Sequence, residues 1–177
     1  MIAQLDRLKK KIIEQWQKRS CRKSSETKTE SVIGRPLPDY FLRGFNIKEC
    51  FSAELNVAPA AFRFGNHTDE RDDNYHEASV NWEDDEGALK TLLEQKKDGT
   101  EDVMFKFGYA RLPLNLVRMT LKSLIDRDYL AFERKPLEQN PYHGNILIPG
   151  DLKKPEKTMI QNNLAAIANN DAHPMNI

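Results

Sequence analysis

The sequence predicts an α+β fold: a compact single domain of short strands and about three helices, with an N-terminal amphipathic helix on a linker. Three observations lead there. A length of 177 residues is that of one ordinary domain, with room for one appended helix. Apolar residues recur at spacings of three and four in several separated segments, the mark of helices with one buried face. Short apolar or alternating runs lie between those segments, and this interspersion argues for α+β rather than a parallel doubly wound sheet.

The elements follow in order. Residues 1–20 place Ile2, Leu5, Leu8, Ile12, Ile13 and Trp16 on one helical stripe, with Arg7, Lys9, Lys10, Lys11 and Lys18 mostly off it. From Ser20 to Thr29 the chain is Ser, Thr, Lys and Glu with Cys21 the lone apolar residue, which reads as a flexible linker. Residues 1–30 are therefore an amphipathic helix and linker, and residues 31–177 a single α+β domain. Gly34-Arg35-Pro36-Leu37-Pro38 marks the loop that leads into that domain. The apolar residues between Tyr40 and Asn56 follow neither period. Ala60 to Phe64 alternates as a strand would, and Ala78 to Trp82 reads as a second strand. Asp84-Asp85-Glu86 precedes Ala88, Leu89, Leu92 and Leu93, so a helix begins where negative charge favours its N-terminus. Val103 to Ala110 alternates as a third strand. Pro113 opens a helix with Leu114, Val117, Leu121, Leu124 and Ile125 on one face. Tyr129–Glu133 and Asn145–Ile148 are further strands, Pro155 opens a last helix through Ile167, and residues 169–177 are expected to fray.

Charge is the second layer. Twenty-seven basic and twenty-seven acidic side chains sum to zero, but they are segregated. Residues 1–35 carry ten basic and four acidic groups, residues 67–102 four and thirteen, and residues 103–135 seven and three. Such separation creates local fields even at zero net charge. No run of 18 apolar residues is present, so no membrane span is expected. With no signal-like N-terminus and only Cys21 and Cys50, the expected compartment is the reducing cytoplasm.

Candidate chemistry is sparse. His67, Asp69 and His76 lie in one polar stretch, and His143 could approach them; imidazole and carboxylate ligands of this kind can hold a divalent metal that activates water. The spacing matches no established ligand motif, and no cofactor is expected. His143 also has a plainer role, anchoring a loop that Asn140-Pro141 starts. Trp82 is expected to be a core anchor with its indole N–H satisfied. Glycine loops for phosphate are missing, as is a GxSxG nucleophile. The helix from Pro113, followed by two strands, has the order of a winged helix, in which Arg111, Arg118, Lys122 and Arg127 would contact phosphates.

The segments Ala60-Ala61-Phe62-Arg63, Glu77-Ala78-Ser79-Val80-Asn81-Trp82, Pro136-Leu137-Glu138-Gln139-Asn140-Pro141-Tyr142-His143 and Ile146-Leu147-Ile148 together resemble a group of small bacterial proteins of uncharacterised function. That group shares a Ser-Val-Asn-Trp element and a later Pro-Leu-x-x-Asn-Pro-x-His element. The resemblance spans roughly residues 57–168 and departs at Tyr142 and Gly144, where the group tends to carry alanines around its histidine. It implies an accessory protein of mobile or defence-related loci.

Three functional expectations result. The first is a non-catalytic small subunit of a bacterial multi-protein complex in antiphage defence, docked on a larger subunit through Leu5, Leu8, Ile12 and Trp16. The second is a metal-dependent hydrolase or nuclease built on the His/Asp stretch. The third is a winged-helix module that contacts DNA within the assembly.

Overall fold

The structure, a computed structural model, describes residues 37–66, 75–125 and 131–175. Strand β1 (Tyr40–Phe45) comes first, and two 3-10 turns, Lys48–Cys50 and Pro59–Phe62, lead to the two-residue β2 (Gly65–Asn66). Then come β3 (Tyr75–Trp82), α1 (Glu86–Glu94), β4 (Gly108–Pro113), α2 (Leu114–Ile125), β5 (Ala131–Arg134), β6 (His143–Pro149), α3 (Lys154–Ala168) and β7 (Ala172–Pro174). Six strands form one antiparallel sheet in the order β5-β6-β3-β1-β4-β7, and β2 pairs on β3 outside that path. The α+β architecture is as expected.

Register explains how the layers form. Phe41 pairs with Trp82 and with Leu112, and Val80 pairs with Gly144, so these residues share one face. That face packs against Leu114, Val117 and Leu121 of α2 and Ile160, Leu164 and Ile167 of α3 in the main core. Leu42 points to the opposite face, where it meets Ala88 and Leu92 of α1. The sheet is therefore sandwiched, α2 and α3 on one side and α1 on the other. Burying both faces of β1 removes the alternation that a half-exposed strand would show.

β1 leaves β3 after Leu42, and β2 joins it only at Glu77. Arg43 fills the interval: its Nη1 donates to the Ser79 carbonyl and its Nε to the Ala61 carbonyl at 3.0 Å. These bonds replace ladder hydrogen bonds that Ser79 would otherwise lack. Burial pulls the Arg43 pKa below its ordinary value, which the Coulombic influence of Cys50 offsets in part.

Several expected elements change. Ala60–Phe64 is not a strand, because Pro59 starts a 3-10 turn that buries Ala61 and Phe62. The third strand is Gly108–Pro113, and Pro113 is its last residue rather than the first of α2. The segment 169–175 is held down: Ala172–Pro174 pairs with β4, and Met175 N donates to the Phe107 carbonyl at 2.9 Å. Gly108 permits this, with φ of 125° and no room for a Cβ, which would lie 2.2 Å from the His173 carbonyl oxygen. The expected N-terminal helix and linker, residues 1–30, lie outside the described residues. No helix among the described residues is long and apolar enough to cross a membrane.

Candidate functional site

A cleft of about 720 Å³ opens where three segments meet. Leu37, Pro38, Asp39 and Tyr40 lead into β1, Glu83, Asp84 and Asp85 turn from β3 into α1, and Arg111 projects from β4. Backbone bonds tie these segments together. Glu83 N donates to Tyr40 O at 3.1 Å, and Leu114 N to Asp39 O at 2.9 Å.

Each charged group here except Asp39 is held by a partner. Arg111 lies 4.3 Å over the Tyr40 ring, and its Nε donates to Glu83 Oε2 at 2.9 Å. Its Nη1 faces Asp171 Oδ2 at 3.6 Å. The Glu83 hydrogen bond is the main reason the guanidinium pKa rises above its ordinary value. Nearby, Tyr109 stacks on His173 at 4.6 Å; burial, then Asp171, pushes its phenol pKa up. Asp84 makes a two-pronged pair with Arg134, whose guanidinium lies 4.2 Å over Trp82. Asp85 caps α1 by accepting from Gly87 N at 2.8 Å and also accepts from Tyr142 Oη at 2.7 Å. A Cβ on residue 87 would lie 2.5 Å from that phenol oxygen, so glycine makes the contact feasible.

Tyr142 is itself fixed from behind. Asn140 Oδ1 accepts from Tyr142 N at 3.2 Å, while Asn140 Nδ2 donates to Asn81 and Gln95 at 2.9 Å each. Asn140 and Asn81 are buried, and their bond ties the Asn140 turn to β3, although Asn81 Nδ2 finds no partner among the described residues. Asp39 is exposed, and its carboxylate has no partner among the described residues. The lining therefore sets four carboxylates against one guanidinium, an electronegative concavity on a stiff frame. Such a surface attracts cations.

Replacing Asp85 with alanine removes both the cap and the Tyr142 bond, and should cost about 1–2 kcal/mol in urea unfolding. Asp85→Asn retains a capping oxygen and should lose less than half of that. Equal losses would show that charge, not capping, sets the contribution.

The predicted residues fall in different places. His76 and His143 do not converge. His143 pairs with Asn81, so five residues of β3 separate it from His76, about 17 Å at strand rise, and the two point to opposite faces. His76 contacts Lys157 through Nε2, while His143 Nδ1 meets the Lys135 carbonyl at 2.8 Å. His67 and Asp69 lie outside the described residues, and no group of three or more His, Cys, Asp or Glu among the described residues is placed to hold a metal ion. Arg111 does not join Arg118 and Lys122: it belongs to the cleft on β4, whereas those two lie on the outer face of α2, with Arg118 5.7 Å over Phe132. The expected wing is part of the main sheet, since β6 pairs with both β5 and β3. Arg127 and the docking set Leu5, Leu8, Ile12 and Trp16 lie outside the described residues. Trp82 is buried, but its indole N–H has no acceptor among the described residues, contrary to expectation.

Glu83, Asp84 and Asp85 were legible only as acids at a helix start; that they wall a cleft depends on β1 and β4 arriving beside them. No family model, curated protein or solved structure matches this chain. The fold and the cleft together define an α+β domain with an acidic cleft at one end of the sheet.

Proposed function

We propose that this chain is a non-catalytic subunit of a multi-protein assembly, and that its cleft receives a cationic segment of a partner. One observation carries the reading: the cleft's charged groups are locked in pairs that shape the walls, leaving the exposed Asp39 to greet a ligand. A reaction centre needs a group poised to move a proton or electron pair toward substrate. Here Glu83 Oε2, both Asp84 oxygens and Asp85 Oδ1 are engaged by structural neighbours. The resemblance to small bacterial accessory proteins supports the same reading, including a role in defence-related loci. In that setting the amphipathic segment Ile2–Trp16 supplies a second attachment, helix in groove.

The test is native mass spectrometry of the tagged chain isolated from its host cells. Wild type should carry a partner in fixed stoichiometry. Asp39→Lys, with an unchanged melting temperature, should lose it, because reversing an exposed interfacial charge weakens binding at least about tenfold. A complex indifferent to Asp39→Lys would remove the cleft from the account.

A further inference from the structure

Helix α2 presents an outward face with an unusual composition. Its sequence, LNLVRMTLKSLI, contains no acidic residue. Leu114, Val117 and Leu121 face the core, which leaves Met119 at the apex of the opposite side, 70% exposed, with Leu116 beside it at 39%. Arg118 and Lys122, one turn apart, are both exposed and rim the same face.

Resting on the reading of the cleft as a recognition surface, we infer that the cationic segment it receives is α2 of a second copy of this chain. The two surfaces complement each other. Exposed Leu37 gives the cleft an apolar lip for Met119 and Leu116, and Asp39 and its acidic neighbours oppose Arg118 and Lys122. A cleft of about 720 Å³ has room for both apolar side chains. With zero net charge, two copies meet without long-range repulsion, so segregated charge is free to attract. The face and the cleft are also neighbours, because Leu114, the first residue of α2, bonds to Asp39. A two-fold axis can therefore make both contacts at once and close the pair. A DNA backbone is the poorer occupant: two cations around a protruding methionine offer little counterion release.

Sedimentation velocity of the purified full chain tests this without any other protein. At roughly 50 µM protein and about 50 mM salt a dimer is expected, weakening about tenfold as salt rises to about 500 mM. Arg118→Glu combined with Lys122→Glu should be monomeric, and so should Asp39→Lys. Mixing these two variants should restore a dimer, because the reversed charges match again, and an unfolded variant could not be rescued in this way. A monomer under all conditions overturns the inference, as does a dimer that neither variant alters or a mixture that stays monomeric. Binding of a duplex oligonucleotide by a monomeric chain, lost in the α2 variant, overturns it in favour of DNA. If the purified chain is monomeric while the host-cell complex still depends on Asp39, the inference fails and the cleft reading stands.

Discussion

Gly144→Ala is expected to destabilise the chain by about 3 kcal/mol, near the upper end for overpacking a filled core. A Cβ at this position would lie 2.1 Å from Trp82 Nε1 and 2.4 Å from the Glu133 carbonyl oxygen. Neither neighbour can retreat easily. Trp82 is buried between the edge of Phe41, with ring centres 5.4 Å apart, and the guanidinium of Arg134. Glu133 belongs to β5, which is the sheet's outer strand and pairs with β6 through this same stretch. Relief therefore demands either a displaced indole or a parted β5. Urea unfolding measures the loss, and Gly65→Ala is the control, since nothing lies within 4 Å of a Cβ there. A Gly144→Ala loss below about 1 kcal/mol would mean that β5 yields freely.

The second large effect is at Asp84. Its pair with Arg134 is two-pronged, and each side chain is only 11% exposed. Asp84→Ala leaves a guanidinium largely shielded from water without its carboxylate, and such losses run to about 3–5 kcal/mol. The neighbouring wall should suffer too, because Asp84 stands between Glu83 and the Asp85 cap of α1. Asp84→Leu combined with Arg134→Met should recover much of the stability, since replacing both partners strands no charge. A double variant as unstable as the single one would place the contribution in shape rather than in charge.

How far the sequence revealed all this depends on the range of the contacts involved. Helices α2 and α3 were legible because Val117 and Leu121, or Ile160 and Leu164, repeat on one turn of a single helix. Strands β3 and β6 were found at their apolar centres, though both run further into polar residues. Strand β1 was hidden by its central position: Phe41 and Phe45 serve one face and Leu42 the other, so no period survives. The end of the chain was misread as frayed because β7 is stabilised by β4, more than sixty residues earlier, and by the Tyr109–His173 stack. Local composition carries no trace of either.

The site shows the same division. Asp85 as a helix cap, and Asn140 as the organiser of its own turn, are local events that residue order discloses. Arg111 was singled out for its charge and assigned to phosphate. Its actual partners, Glu83, Asp171 and the Tyr40 ring, come from three other segments. His76 and His143 seemed able to meet only while the register of β3 and β6 was unknown. Charge segregation, by contrast, was visible at once, and the acidic stretch does furnish the carboxylates of the cleft wall.

The cleft is proposed as the place where another chain sits. A photo-crosslinking side chain at Leu37, on the exposed lip of the cleft, tests that most directly in host cells. Illumination should yield one discrete protein adduct, at twice the chain's own mass if the occupant is a second copy. The same group at Glu101, on the distant and highly exposed loop after α1, should yield none. No adduct at Leu37, or the same adducts from both positions, would contradict the proposal that this cleft is a docking site.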